Sequence, residues 1–309
     1  MSYKALICFV VFCACNLPAP YARAGSSKDG AGTAAAQVLK LGVGARAAGM
    51  GNTYAAIADD IAAVYWNPGG LGGVKKESAS LMHAVLSDGV AYEWLAYVLP
   101  LGAGTAGAGI QHLSYGNIQG TDETGLETAV FAPSETVGTL AYGIGLGKFG
   151  LGGSFKIISG KIKHSAAALA ADIGAKYGIA PGDRFSAGLV LQNIGGKMKY
   201  VSEKDPLPFN LKAGAAYKPI SSWTIAADAD MPSDSALLFG LGSEFRMEMG
   251  EGVMAACRAG YNTRAKDLGG LAGFAVGAGG SYGEVSLDYA FVPFGGLGNT
   301  HKISLSIDF

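Results

Sequence analysis

From Glu77 to the end of the chain, apolar residues recur at every second position, and this alternation limits the fold more than any other feature. In one run, Phe209 and Leu211 alternate with Asn210 and Lys212. A β-strand has a side-chain period of two, so such a run predicts a strand with one apolar face. The pattern recurs up to the last residue, and the sequence therefore predicts an all-β fold over this part of the chain.

Fourteen segments carry the alternation, and each is close to the ~9 to 11 residues that a tilted transmembrane strand needs. An even number of strands allows an antiparallel sheet to close with both chain ends on one side. We therefore predict a closed antiparallel transmembrane β-barrel of about 14 strands over 77–309. The predicted strands are 77–86, 90–99, 104–114, 135–147, 149–159, 168–178, 184–193, 209–218, 222–231, 236–247, 253–263, 270–280, 283–293 and 300–309.

The gaps between these segments alternate in length. Every second gap, starting with the first, spans 3 to 20 residues, whereas the intervening gaps span 1 to 5. Outer-membrane barrels have short turns at one edge and longer loops at the other. A soluble sandwich has no reason to sort its loops in this way, so the gaps favour a membrane barrel.

The composition agrees with a chain that meets lipid through strands. Glycine accounts for 49 of 309 residues, charged residues are 15% of the chain, and the mean hydropathy is +0.28. These values exclude a disordered chain. With 23 basic and 24 acidic residues and no basic tract, the chain is not expected to bind nucleic acid. In hydrocarbon every backbone polar group must be paired, so a sheet can span a membrane only if it closes.

Residues 1–24 have the features of a cleaved signal peptide. Lys4 precedes an apolar stretch, 5–15, and the sequence Ala-Arg-Ala at 22–24 suits a signal peptidase. Lipidation of Cys15 is a minor alternative. Cleavage would leave Cys257 as the single cysteine, so no disulfide framework is expected in the exported chain.

Aromatic residues and the last strand add two features typical of outer-membrane barrels. Six aromatic residues near strand ends are candidates for the girdles at the two membrane interfaces: Tyr97, Tyr115, Tyr217, Trp223, Tyr261 and Tyr282. An alternating last strand with a terminal aromatic residue is the signal that outer-membrane assembly machinery recognises. The residues that fit this assembly signal are Ile303, Leu305, Ile307 and Phe309.

The segment 25–76 lacks the alternation and is predicted to be a plug, or hatch, at the barrel mouth. We expect a helix that begins near Asn52 and is stopped by Asn67 and Pro68. Its apolar side would comprise Ile57, Ile61, Val64 and Tyr65. At about fifty residues, the segment is too short for a separate enzyme domain.

Three motifs in this segment resemble the N-terminal signature of the PorV/PorQ family, which lies within the FadL-type (long-chain fatty acid transporter) group of outer-membrane barrels. They are LGVGARAAGMGN at 41–52, ADD at 58–60 and YWNPGGL at 65–71. The motif residues singled out are Gly49, Gly51, Asn52, Asp59, Asp60, Trp66, Asn67 and Pro68. The similarity in motif covers about thirty residues, and the fourteen strands fit the wider group.

The resemblance implies that the N-terminal segment lies in or against the periplasmic mouth, and it implies one of two functions. FadL-type members pass hydrophobic molecules across the outer membrane, and Tyr65, Trp66 and Leu71 are then candidates to line a hydrophobic cavity. PorV-like members collect protein cargo of the type IX secretion system at the cell surface. Cargo would bind the longest predicted loops, 115–134 and 194–208, although these are modest for that task. A soluble secreted β-protein is a third possibility.

No motif predicts catalysis, a cofactor or a metal site. The glycines at 42–51 do not have dinucleotide-loop spacing, no G-x-S-x-G elbow occurs, and the four histidines show no ligand spacing. We interpret these histidines as solvated or lumen-facing. Charged residues on the polar strand faces predict a lumen network of mixed sign: Lys156, Lys176, Lys212, Asp228, Asp230, Glu244, Arg246, Arg258 and Asp288. Asp59 and Asp60 are hypothesised to connect the plug to lumen bases such as Arg258.

Overall fold

The computed structural model describes residues 32–180 and 182–309, and these form a closed antiparallel barrel of fourteen strands with the N-terminal segment inside. The predicted fold class is confirmed. The predicted signal peptide, its cleavage site and Cys15 lie outside the described residues.

Each predicted strand corresponds to one barrel strand, and one small pair, β8 and β9, lies between barrel strands β7 and β10. The strands are β1 (Ser78–Val85), β2 (Ala91–Leu101), β3 (Gly104–Ser114), β4 (Ser134–Leu146), β5 (Phe149–Lys161), β6 (Ser165–Tyr177), β7 (Phe185–Gly195), β8 (Lys197–Met198), β9 (Asp205–Pro206), β10 (Asn210–Ile220), β11 (Trp223–Pro232), β12 (Leu238–Gly250), β13 (Val253–Asn262), β14 (Phe274–Tyr282), β15 (Val285–Pro293) and β16 (Asn299–Asp308).

The barrel closes because the first strand pairs with the last. In β1 and β16, Ser78 is opposite Asp308 and Val85 is opposite His301, with no shift between them. Every other barrel strand pairs with its neighbours in sequence, and β7 pairs directly with β10. The sheet therefore has no free edge, and its backbone groups are paired within the protein, as hydrocarbon requires.

Large apolar side chains cover the outer surface of the barrel. Leu81, Leu95 and Ile110 are opposite one another on β1, β2 and β3, and each is about half exposed. Leu140 on β4 is 66% exposed. Alternate residues on the same strands are buried, so the apolar faces point outward and not into a sandwich core. The alternative of a soluble sandwich is wrong.

The connections sort by length between the two edges of the barrel, as predicted. At one edge, which we call the turn edge, five connections have two residues: 102–103, 147–148, 221–222, 251–252 and 283–284. The sixth connection at this edge is the longer segment 178–184. The other edge, which we call the loop edge, has 86–90, 115–133, 162–164, 196–209, 233–237, 263–273 and 294–298. Both chain ends of the barrel, Ser78 and Asp308, lie at the turn edge.

The aromatic residues and the last strand occupy the outer face. Five of the six predicted girdle residues are exposed by more than a third, whereas Tyr261 is half-buried against Phe274. In β16, Ile303 and Leu305 point outward. Ile307 is partly exposed, and the terminal Phe309 is 65% exposed and donates its backbone N–H to the Glu77 carbonyl at 2.8 Å.

The N-terminal residues 32–76, which we call the plug, run inside the barrel as short turns joined by irregular backbone. Their helices are Gln37–Lys40, Ala45–Gly49, Ala63–Trp66 and Pro68–Gly73, and the loops contain Ser87–Gly89, Thr263–Leu268 and Gly295–Leu297. Among the described residues, no helix has the length and apolar character needed to cross a membrane.

The predicted helix starting near Asn52 is wrong in all but its last turn. Asn52 has a left-handed backbone, with a φ of 61°, and follows one helix without capping another. A contact with the barrel wall takes the place of the predicted Asn52 cap, because Asp228 accepts the backbone N–H groups of Tyr54 and Ala55. The predicted stop is correct, since the last helical residue before Asn67 is Trp66.

Candidate functional site: the plugged lumen

Arg46 in the plug joins three carboxylates at the turn-edge side of the lumen. Its Nη1 lies 2.7 Å from Asp59 Oδ1 and 2.7 Å from Asp60 Oδ2. Its Nε and Nη2 donate to the two oxygens of Glu244 on β12, at 2.9 and 3.0 Å. A bidentate guanidinium–carboxylate pair is both strong and directional. Arg46 therefore connects two parts of the plug with each other and connects the plug with the barrel wall.

This geometry corrects the hypothesis that Asp59 and Asp60 contact Arg258. Both aspartates bind Arg46 instead, and Arg258 binds Glu244, with Arg258 Nε 2.6 Å from the same Oε2 that accepts from Arg46 Nε. The connection between plug acids and wall base is thus indirect and runs through Arg46 and Glu244. Arg46 was not predicted to be the central group, although it is the only base in the 41–52 motif.

Asp59 and Arg46 are both charged at neutral pH. Burial by itself would raise the pKa of the Asp59 carboxyl, but the Arg46 guanidinium beside it outweighs burial and holds that pKa well below its usual range. Burial likewise opposes the charge on Arg46, and the surrounding acids raise its pKa above the usual value. Both partners are therefore ionised when the plug is in place.

A second ionic contact holds the middle of the plug. Lys212 on β10 lies 3.3 Å from Asp228 and 2.9 Å from Asp230, both on β11. Asp228 Oδ2 accepts the backbone N–H groups of Tyr54 at 2.8 Å and Ala55 at 3.0 Å. A wall carboxylate thus satisfies plug backbone that forms no helix, which is a role that buried carboxylates perform well.

The aromatic pair of the plug is fixed by hydrogen bonds to the backbone. The Tyr65 hydroxyl donates to the Leu39 carbonyl at 3.0 Å, and the Trp66 indole N–H donates to the Val43 carbonyl at 3.0 Å. The two rings meet edge to face, with centroids 4.9 Å apart. Both side chains are almost fully buried.

Wall lysines lie over these two rings. The Lys156 ammonium is 5.9 Å from the Tyr65 ring centroid, and the Lys212 ammonium is 5.1 Å from that of Trp66. Lys156 also forms an ion pair with Asp172, with Nζ 2.7 Å from Oδ2. Aromatic faces attract cations, so each contact adds to the binding of the plug.

These contacts confirm the predicted lumen network of mixed sign. Arg258 also pairs with Asp288 at 2.7 Å. Lys176 differs from the other members because it donates to the backbone carbonyls of Ile57 and Ala58. The network serves chiefly to hold the plug.

The Asn67-Pro68 motif attaches the plug to β6. The Asn67 amide donates to the carbonyls of Ala55 at 2.9 Å and Ala175 at 3.1 Å, and its oxygen accepts from Gly69 N–H at 3.0 Å. Asn67 is fully buried, so these bonds are made without competition from water. Pro68 then begins the following 3₁₀ helix.

Glycines in the wall let the plug backbone approach the strands. A Cβ on Gly152 would lie 2.2 Å from the Pro68 carbonyl oxygen, and one on Gly188 would lie 2.1 Å from the Ala55 carbonyl oxygen. No side chain fits at such distances. Part of the high glycine content therefore reflects direct contact between wall and plug backbone.

Two glycines of the 41–52 motif have the same role on the plug side. A Cβ on Gly49 would lie 3.0 Å from the Gly277 Cα, and one on Gly51 would lie 2.7 Å from the Tyr261 nitrogen. Gly51 also has a φ of 66°, which favours glycine. The following Asn52 faces a small cavity, and its Oδ1 has no hydrogen-bond partner within the protein.

Two cavities lie on opposite sides of the plug. The loop-side cavity, of about 50 Å³, is bounded by both plug and wall, including Asn52, Tyr65, Trp66, Lys212, Asp230 and Arg264. The turn-side vestibule, of about 420 Å³, is lined by Arg46, Asp59, Asp60, Arg246, Arg258 and Asp288 among others. Both have walls in which polar and apolar surface are about equal.

The structure separates the three residues expected to line a hydrophobic cavity. Tyr65 and Trp66 lie on the wall of the loop-side cavity. Leu71 is fully buried and lines neither cavity. It packs against β4, where its Cβ lies 2.7 Å from the position that a Cβ on Gly143 would have. Leu71 has this position because its plug segment is buried against glycines of the barrel wall.

Of the two positions predicted for the histidines, solvated or lumen-facing, the structure excludes the second for three of them. His83, His112 and His301 point outward near the loop edge, and so are not lumen-facing. His83 and His112 are both opposite Glu93 in register, and His83 Nδ1 lies 3.3 Å from its carboxylate. Within 32–180 and 182–309, no group of three or more His, Cys, Asp or Glu side chains is placed to hold a metal ion.

Sequence comparison identifies no relative: no protein-family model matches the chain, and no curated protein matches it. Structural comparison does. The Pseudomonas putida toluene transporter TodX superposes with a TM-score of 0.60 at 14% identity, covering 86% of this chain and 97% of TodX. The Ralstonia pickettii toluene transporter TbuX gives the same four values.

A Pseudomonas aeruginosa FadL homologue is also similar, with a TM-score of 0.56 at 11% identity over 86% of this chain and 98% of the homologue. The similarity extends over nearly the whole of each barrel. At this level of identity it defines architecture only, and the chain accordingly shares the fold of the FadL-type barrels.

Proposed function

We propose that this chain is a non-enzymatic outer-membrane barrel that passes small hydrophobic molecules across the outer membrane, with the plug as its gate. The observation that carries the proposal is the pair of cavities on opposite sides of the plug, each open toward one edge of the barrel. The fold shared with TodX, TbuX and the FadL homologue supports it, since two of these proteins are toluene transporters.

The outer membrane is the proposed location for three reasons. The sequence begins with the features of a signal peptide. The outer face of the barrel carries exposed apolar residues where outer-membrane lipid would lie. The outward residues of β16 and the terminal Phe309 have the pattern recognised by outer-membrane assembly machinery. These features suggest lipid and the assembly machinery as partners, with no cofactor and no nucleic acid.

The cavities describe a closed state. The loop-side cavity has room for only a few atoms, so a molecule such as toluene can enter only if Trp66 or its neighbours move. The ion pairs of Arg46 then set the energy needed to displace the plug at the turn-edge side. Passage by this route therefore requires movement within the plug.

Trp66→Ala is expected to increase passage, because removing the indole enlarges the loop-side cavity into the plug. Uptake of radiolabelled toluene would be measured in cells with an outer membrane rich in lipopolysaccharide. Cells expressing the native chain should take up toluene faster than cells without it, and the variant should be severalfold faster again. Radiolabelled sucrose should stay outside in both, since the gate is proposed for hydrophobic molecules.

Trp94→Ala is the matched control. Trp94 is 2% exposed and points into the lumen from β2, but it lines neither of the two cavities described. Its loss should destabilise the protein to a similar degree without raising uptake. Equal uptake by cells with and without the native chain would refute the proposed function, and equal uptake by the two variants would refute the route past Trp66.

A surface role in type IX secretion, as in PorV-like members, is the second candidate. It is favoured by the N-terminal motifs and by exposed apolar residues in the two longest loops, of which Leu126 is 68% and Val201 is 71% exposed. Native purification followed by mass spectrometry distinguishes the two functions. Stoichiometric secreted protein bound to the barrel would support this candidate, whereas lipid and small molecules alone would support the first.

A further inference from the structure

Four lysines form a cluster at the loop edge that the proposed passage does not use. Lys161 and Lys163 lie at the β5–β6 turn, and Lys197 and Lys199 lie in or beside β8. All four are exposed, and none forms an ion pair with a side chain that the structure describes. The segments 161–164 and 197–205 together contain five lysines and two acidic residues. We call the four lysines the lysine rim.

The two parts of the lysine rim are adjacent in space. The Met198 methyl group lies 3.2 Å from the position of a Cβ on Gly160, and the Gly196 N–H donates to the Leu169 carbonyl at 3.1 Å. β8 therefore lies next to the loop-edge ends of β5 and β6. The Met198 side chain is fully buried. Because successive side chains of an extended chain point to opposite faces, those of Lys197 and Lys199 are directed to the exposed side.

The lysine rim begins where the lipid-facing wall ends. Ile157 and Leu169 are opposite each other on β5 and β6, and both are more than half exposed. Four residues further along β5, Lys161 is opposite Ser165. This separation is at most ~13 Å along the strand, and less along the membrane normal because strands tilt. The Lys161 ammonium is therefore at the depth of lipid headgroups.

The neighbouring strands change from apolar to polar at the same level. Ser159, between Ile157 and Lys161, is opposite Thr136, which is opposite His112. His112 is in turn opposite Glu93 on β2. The polar level is therefore continuous over several strands, and the three-residue turn between β5 and β6 does not lift the lysines far above it.

We propose that the lysine rim binds the phosphate groups of anionic glycolipids in the leaflet at the loop edge. A lysine ammonium offers three donors, and a phosphate offers several acceptor oxygens. Lysines close to an anionic membrane surface attract such headgroups strongly. Four ammonium groups without an acidic partner beside a lipid-facing wall meet both requirements, and the Lys163 ammonium, 5.4 Å from the Phe131 ring centroid, keeps its donors free for a phosphate. The inference rests on the proposed location in the outer membrane.

The test compares lipid A carrying both phosphates with the same lipid after their removal. Binding to the purified full chain in neutral detergent would be measured by native mass spectrometry. The native chain should bind the phosphorylated lipid at least roughly tenfold more tightly, because each lysine contributes on the order of fivefold. A variant with Lys161→Gln, Lys163→Gln, Lys197→Gln and Lys199→Gln should lose this preference.

The control variant removes the same charge at the turn edge, with Lys75→Gln, Lys76→Gln, Lys148→Gln and Lys218→Gln. It should keep the preference for phosphorylated lipid. The proposal is overturned if the rim variant also keeps it, if millimolar inorganic phosphate displaces the lipid, or if an acidic protein from the same cells occupies the rim instead. Cell fractionation tests the outer-membrane location separately, so failure of the location and failure of the lipid site are distinguishable.

Discussion

Arg46→Gln is expected to loosen the plug more than any other single polar substitution. The change leaves Glu244, which is almost fully buried, without the bidentate partner in the plug, and it frees Asp59 and Asp60. Removing one partner of a buried ion pair costs about 3 kcal/mol or more. Hydrogen exchange at the backbone amides of Tyr54 and Ala55, measured by mass spectrometry, should accelerate by roughly a hundredfold.

Arg246→Gln is the matched control for this prediction. Arg246 contacts the same carboxylate, with its Nε 2.9 Å from Glu244 Oε1, but its side chain is 43% exposed in the vestibule. An exposed pair is worth at most about 1 kcal/mol, so plug exchange should accelerate by no more than about fivefold. Equal acceleration in the two variants would show that Arg46 does not hold the plug.

Gly152→Ala is expected to displace the plug by steric overlap. The added methyl group would lie 2.2 Å from the Pro68 carbonyl oxygen and 2.4 Å from its carbon, and both atoms are backbone. Overpacking of this kind costs about 3 kcal/mol, at the upper end of its usual range, because neither backbone segment has a rotamer to change. In planar bilayers the variant should conduct ions through the opened lumen, whereas the native chain should be closed.

Gly138→Ala makes the same substitution in the neighbouring strand β4 without the overlap. A Cβ there has no atom within 4 Å, and the position faces outward. Its conductance should equal that of the native chain. If Gly152→Ala is equally silent, the close contact between plug and wall is not what closes the lumen.

The barrel could be predicted from the sequence because the alternation of outward and inward side chains is visible within each strand. In a strand that meets lipid on one side, residues such as Ile157 and Leu169 must alternate with residues that face the lumen. The terminal pairing of Ser78 with Asp308 follows once every strand is counted, because an open edge cannot remain in hydrocarbon. Local pattern and closure therefore sufficed for the architecture.

The conformation of the plug could not be predicted in the same way. The helix signals around Asn52 apply to a segment surrounded by water, but the amides of this segment bind wall groups far away in sequence. Asp228 is separated from Tyr54 by 174 residues. Contacts of this kind leave no periodic signal, and they override local propensity.

The polar character of the lumen was only partly predictable. The charges of Lys212 and Asp228 could be placed on an inward face by alternation, but their pairing with the plug required the register of β10 against β11. Arg46 stands alone among small residues, and its acids at 59–60 follow soon after. This isolated base, followed by two acids, was the available sequence signal for the cluster of Arg46, Asp59 and Asp60.

A spin label on Cys257 tests the central claim, that the alternating apolar face meets lipid around a closed barrel. Cys257 is exposed on the outer face of β13, opposite Phe245 and Ala278, and it is the only cysteine in the sequence after residue 24. In lipid vesicles the label should collide often with oxygen, which dissolves in hydrocarbon, and rarely with a water-soluble nickel chelate. Frequent collisions with the chelate, or shielding from both reagents, would contradict a lipid-facing barrel wall.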